Sequence, residues 1–185
     1  MKVFAFAASL RKDSINRRLL LLAEDIVREC GHEVDHAEFA EFDMPLYNGD
    51  LQDESGIPAG AEALGARIAE SDAWLLASPE YNWGAPGTIK NAIDWLSRMQ
   101  PVPLDRKSAF LMSASPSLVG GARGLMSLRL PLEILGCWCY PKVFALAQAG
   151  QAYGEDGTLA NEMLAGMLRT MIEDYLAAAA ALDAR

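Results

Sequence analysis

The chain has 185 residues, enough for one domain with a sizeable core; its 51% hydrophobic and 22% charged residues exclude a disordered tail. A formal net charge of -9 without any basic stripe excludes a nucleic-acid footprint. No apolar run approaches the roughly 18 residues of a membrane span, and the one after Met1-Lys2 is too short for a signal peptide, so the expected location is the cytoplasm.

Taken in chain order, the pattern alternates strand and helix. Lys2 to Ala7 reads as a buried strand and Ser14 to Cys30 as a helix, with Leu19, Leu20, Ala23, Ile26 and Val27 on one stripe and Gly31 as its stop. Glu33 to Phe39 is a second strand, and a long polar loop from Ala40 to Ile57 follows. Pro58 to Ser71 is a helix, Ala73 to Ser78 a third strand, and Pro86 to Met99 a helix burying Ile89, Ala92, Ile93 and Leu96. Ser108 to Ser113 is a fourth strand. Gly124 to Leu135 is a helix interrupted by Pro131. Gly136 to Leu146 gives a fifth strand and Leu159 to Leu182 a terminal helix. Five β-α units without repeat or linker predict an α/β three-layer sandwich: a five-stranded parallel sheet with helices on both faces. Five strands favour the flavodoxin-like order 2-1-3-4-5, in one domain over residues 1–185.

In such a sheet ligands collect outside the carboxyl ends of the strands. After strand one stands Ser9-Leu-Arg-Lys-Asp-Ser-Ile-Asn16, without the glycine fingerprints of dinucleotide folds or P-loops. Hydroxyls of Ser9 and Ser14, the amide of Asn16, the charge of Arg11 and the helix start at Ile15 suit a terminal monophosphate. Capping of the first helix by Asp13 or Ser14 explains the same residues equally well.

After strand three, Pro79 forces an extended start, and Glu80-Tyr81-Asn82-Trp83 then projects before Gly84, Pro86 and Gly87 bend into the next helix. This amide-rich, aromatic loop suits a planar ring. A phosphate and a planar ring together suggest flavin mononucleotide, FMN.

Here the chain resembles the NADPH-dependent FMN reductase family, the flavodoxin-like group of quinone, azo-dye and chromate reductases. The family's Gly-Ser-x-Arg-x-x-Ser-x-Asn is matched by Ser9, Arg11, Ser14 and Asn16. Its Pro-Glu-Tyr-Asn, followed by Pro-Gly-x-x-Lys-Asn-x-x-Asp-Trp, is matched by Pro79 to Asn82 and Pro86 to Trp95. The run Ser113 to Arg123 resembles the loop that closes over the flavin, with Ser113 and Ser115 as candidate ring contacts. Ala8 and Ser117 stand where the family usually has glycine. The resemblance implies hydride transfer from NADPH or NADH to FMN and on to a small-molecule electron acceptor such as a flavin or quinone, in ping-pong fashion. It also implies a homodimer or homotetramer, for which Trp95, Leu125, Met126, Trp138 and Tyr140 are candidate contacts.

No side chain is required as a catalytic acid or base by that scheme, and His32 and His36 fall away from the strand ends. A serine hydrolase is disfavoured by the missing Gly-x-Ser-x-Gly elbow. Glu80 is expected to orient its loop and Asp94 to form an ion pair. The competing function is a non-enzymatic FMN electron carrier on the same fold. Three cysteines without a secretion signal fit reduced thiols; Cys137 and Cys139 share one strand face, and with no second pair or nearby histidine zinc is not expected.

Overall fold

Alternation along each strand builds two cores, one on either face of the sheet. The computed structural model describes residues 1–183. On β1 (Lys2–Ala7), Val3, Ala5 and Ala7 face one side while Phe4 and Phe6 face the other. β3 (Ala73–Ala77) and β4 (Ser108–Ala114) divide in the same way: Leu75, Phe110 and Met112 on the first side, Trp74, Leu76 and Leu111 on the second. The first side is covered by α1 (Ile15–Glu29) and α6 (Glu162–Asp183). The second is covered by α3 (Ala59–Glu70), α4 (Gly87–Leu96) and α5 (Ala122–Ile134). Strands buried on both faces read as continuous apolar runs, which is why the sequence pattern was strong there.

All strand pairs are parallel, in the order β2-β1-β3-β4-β5, with β2 at Glu33–Glu38. This is the predicted flavodoxin-like arrangement. The fifth position differs in detail: β5 (Trp138–Cys139) pairs with the start of β4 and β6 (Phe144–Leu146) with its end. Pro141 lies in the gap; having no N–H, it cannot carry the ladder onward.

Two further differences are local. The expected loop after β2 holds a 3-10 turn at Phe39–Glu41 and a short helix, α2 (Gly49–Ser55), started by Asn48, whose side chain accepts from Asp50 N–H at 2.9 Å. Pro131 lies inside α5 without ending it, and that helix begins at Ala122, earlier than the pattern indicated. The layers are tied by Tyr175 of α6, whose buried hydroxyl accepts from Trp74 N–H at 3.2 Å and donates to Ser108 O at 2.8 Å.

Candidate functional site

The turn after β1, the loop after β3 and the loop after β4 meet at the carboxyl ends of the strands around a cavity of about 280 Å³. Of the residues predicted from sequence, Ser9, Arg11, Ser14, Ile15, Asn16, Pro79, Glu80, Tyr81 and Ser115 line it. Asp13, Ala114 and Pro116 line it too and were missed. Asp13 carried only a capping signal, and Ala114 and Pro116 have no distinctive chemistry.

Ser14 is the cap of α1: its Oγ accepts from Arg17 N–H at 3.2 Å. Capping therefore holds true, and it is compatible with a ligand site. The first N–H groups of a helix have no intrahelical acceptor, and Ser14 satisfies only that of Arg17. The Ile15 and Asn16 amides are left at the positive end of α1, in a cavity that Arg11 also lines, an environment suited to an anion.

Asn16 differs from its expected role. Its side chain is buried and forms a reciprocal pair with the backbone of one residue of β4, Nδ2 donating to Ala114 O and Oδ1 accepting from Ala114 N–H, both at 2.9 Å. It joins the first and third loops of the site, 98 residues apart in sequence.

The loop after β3 is a tight reversal. Tyr81 and Gly84 exchange both backbone hydrogen bonds at 3.0 Å, and Asn82 and Trp83 at its tip have φ of 50° and 67°. Left-handed residues at both central positions are the mark of a type I′ turn. Asn82, Trp83 and Gly84 thus stand beyond the cavity wall, and Trp83 is exposed with the Arg123 guanidinium 4.0 Å from its ring centre. Arg123 lies in the third motif run, but its stacking partner had no sequence signal.

Glu80 orients the loop, as expected. Its Oε2 accepts from Gly124 N–H at 2.8 Å, in the first turn of α5, and Arg123 lies 3.8 Å from Oε1. The approach depends on Gly124, where a Cβ would sit 2.9 Å from Glu80 Cβ. Asp94 pairs with Lys90 at 2.6 Å, one turn away on α4. Ser113 does not line the cavity: it is fully buried under the Gly120-Gly121 turn, where any Cβ on Gly121, at φ 88°, would strike its Oγ. That Oγ has no hydrogen-bond partner. Ser117 accepts from Gln148 N–H at 3.0 Å through its carbonyl and bonds to Ser115 through its hydroxyl, so the departure from glycine leaves an ordered turn. Ala8 N–H donates to Ala77 O at 2.8 Å, extending the β1–β3 ladder.

A second cavity, about 390 Å³, is lined by Leu10, Phe39, Phe42, Met44, Thr88 and Asn91, with Asp43. Asn91 is committed to the neighbouring strap, donating to Pro45 O and accepting from Tyr47 N–H. This cavity has no cation on its walls and is not the anion site.

A family model described as NADPH-dependent FMN reductase matches residues 1–151. The chain belongs to that family. Membership in the NADPH-dependent FMN reductases brings FMN as cofactor, NAD(P)H as electron donor and oxidoreductase activity, in place of the carrier alternative. The quinone reductase of Escherichia coli K12 is 39% identical over 135 residues, 73% of this chain and 71% of that protein. The NAD(P)H:quinone oxidoreductase of Solanum tuberosum is 36% identical over 180 residues, 93% and 89% of the two chains. The solved structure of FerB, a flavoenzyme NAD(P)H:(acceptor) oxidoreductase from Paracoccus denitrificans, superposes with a TM-score of 0.80 at 31% identity, covering 94% of each chain.

Proposed function

We propose that this chain holds FMN in the cavity at the strand ends and uses it to pass electrons from NAD(P)H to a quinone or a similar small acceptor. The observation that carries the reading is the coincidence, in one cavity, of the free start of α1, the unpaired Arg11 and the ring-sized wall from Pro79 to Tyr81. The residues fit the group. A dianionic phosphate needs N–H donors and a cation, supplied by Ile15, Asn16 and Arg11, with hydroxyls of Ser9 and Ser14 beside them. Among the described residues Arg11 has no carboxylate partner to compete with a phosphate.

Bound FMN supplies a reversible two-electron, hydride-accepting centre. The chain's part is to bind, orient and exclude water. Asn16 fixes the spacing between the phosphate turn and the loop after β4, and Glu80 holds the ring wall against the start of α5. Neither histidine stands at the site: His32 Nδ1 contacts the amino terminus at 3.3 Å, and His36 Nδ1 contacts the buried Glu24 at 2.5 Å. Proton exchange is left to solvent and substrate.

Met126, Leu130 and Ile134 of α5 and Trp138 of β5 are exposed apolar side chains. A cavity of about 630 Å³ between α4 and α5 is lined by Ala85, Lys90, Ser127, Leu130, Pro131 and Ile134. This face supports a homo-oligomer. Trp95 and Leu125, expected as contacts, are instead fully buried in the core, and Tyr140 packs at 5.7 Å on Tyr175. Among the described residues no helix is long and apolar enough to cross a membrane, and the composition supports action in the cytoplasm as one FMN-binding domain.

The decisive test is to load the protein with FMN, remove free flavin and add NADPH or NADH without oxygen. Rapid loss of yellow absorbance, restored by a quinone, supports the reading. Bound flavin that stays yellow with both donors overturns it.

A further inference from the structure

After β6 the chain doubles back before α6. Ala160 N–H donates to Ala152 O and Gly154 N–H to Thr158 O, both at 2.9 Å. The Asp156 side chain accepts from Thr158 N–H at 3.0 Å and from its hydroxyl at 2.8 Å, and Gly157 makes the reversal with φ of 83°. Leu159 is buried in the core on the α1 side and bridges to Tyr153 across the reversal. Tyr153 is thereby held in one place, although it lies outside every motif that the sequence displays.

Tyr153 is half-buried and packs against the same core. The Arg18 guanidinium lies 4.0 Å from its ring centre, a cation–π contact that steadies the ring. Its hydroxyl donates to Ile15 O at 2.9 Å, 138 residues back in the chain. That oxygen and the Asn16 N–H belong to one planar, conjugated peptide group. The N–H stands in the first turn of α1, where no intrahelical acceptor meets it, and Ile15 and Asn16 both line the cavity at the strand ends. A carbonyl oxygen accepts twice, so the Tyr153 bond adds to the helix's own. Hydrogen bonds in a chain polarise one another: a donor at the C=O end makes the N–H of the same peptide a stronger donor. Burial pushes the Tyr153 pKa up to about 12 against the charge of Arg18, so the donor proton is in place at neutral pH.

We propose that Tyr153 is a positioning residue for the cofactor's phosphate, acting through the Ile15–Asn16 peptide. Its hydroxyl holds the carbonyl, and the N–H of the same peptide meets the anion. The inference rests on the reading of that cavity as the FMN site. It gives the reversal between β6 and α6 a part in selecting phosphorylated flavin over riboflavin.

The test is Tyr153→Phe, which keeps the ring and its contact with Arg18 and removes the hydroxyl alone. Flavin-free wild type and variant are titrated with FMN and with riboflavin, which carries the ring without the phosphate. The wild type is expected to prefer FMN. The variant should bind FMN about two- to fivefold more weakly and riboflavin as before. Unchanged FMN affinity, or both flavins weakened by the same factor as a general loosening of the fold would give, overturns the proposal. A wild type that does not distinguish FMN from riboflavin removes the phosphate site itself, and the proposal with it. Nuclear magnetic resonance of the 15N-labelled protein gives a second readout. The Asn16 amide proton should move downfield when FMN binds, and by less in Tyr153→Phe; an Asn16 resonance that ignores FMN, or answers equally in both proteins, refutes the coupling.

Discussion

Replacing Asn16 by Ala separates a residue that builds the site from one that touches the cofactor. The substitution removes two 2.9 Å hydrogen bonds and strands the N–H and the C=O of Ala114, a residue only 2% exposed. Each of the two buried groups left unpaired costs about 1–3 kcal/mol. Both groups border the cavity, so water can re-pair part of what is lost, placing the total at the low end, about 2–4 kcal/mol. At about 2–4 °C per kcal/mol for a chain of this size, melting should fall by roughly 5–15 °C. The assay is urea unfolding of the flavin-free protein, beside FMN titration of the same variant. Asn16→Asp is the control: it keeps the acceptor for Ala114 N–H but sets a carboxylate against Ala114 O, and should destabilise at least as much. A variant of unchanged flavin-free stability whose FMN affinity nonetheless falls more than tenfold would refute the reasoning, because Asn16 would then be a ligand and not a brace.

Arg11→Ala should weaken FMN by about 1–3 kcal/mol, nearer the lower value because the side chain is exposed and screened; an affinity that is unchanged at low salt would remove Arg11 from the phosphate site. Tyr153, whose hydroxyl donates to Ile15 O at 2.9 Å, has its pKa pushed up to about 12 by burial, against the opposing charge of Arg18. A pKa raised on folding gives stability that is full below the unfolded value near 10 and lost as pH rises towards 12. The wild-type urea midpoint should accordingly drop more steeply than that of Tyr153→Phe across that window, and parallel curves would contradict the assignment. Ile134→Asp, placing charge on the exposed apolar face of α5, should shift the protein to its 20.0 kDa monomer in gel filtration. A wild type already eluting as monomer would dispose of that face as an interface.

The fold was legible because its signals are local. A strand buried on both sides has to be continuously apolar, as Val3 to Ala7 and Ala73 to Ala77 are, and a helix between two layers has to carry a stripe, as Leu19 to Val27 does. Where a short element draws on weaker signals, the reading slipped. α2 lies in a polar stretch with no buried residue, so no periodicity marks it. The break between β5 and β6 depends on one proline, whose effect on a ladder is visible only when the partner strand is known.

The site was legible in its chemistry and not in its construction. Hydroxyls, a guanidinium and a helix start fall within eight residues of one another, so Ser9 to Asn16 declares itself in a single turn of chain. What each residue does there is set by partners far away. Asn16 looked like a ligand because an amide beside a phosphate turn is a good donor, yet its Nδ2 and Oδ1 both bond the backbone of a residue 98 positions on. Glu80 was expected to orient its loop, but the partner it uses, the start of a helix 44 residues on, is reached only because Gly124 has no side chain. Ser113 sits in a ligand-like motif and is sealed beneath a glycine turn. A motif therefore encodes two things at once: the groups that meet the ligand and the braces that hold the loops at the right distance. Residue type alone does not divide them, since an amide or a carboxylate serves either purpose. The division is made by burial. Arg11, exposed and unpaired, is free to meet a ligand; the side chain of Asn16, 3% exposed and bonded twice to Ala114, serves first as a brace.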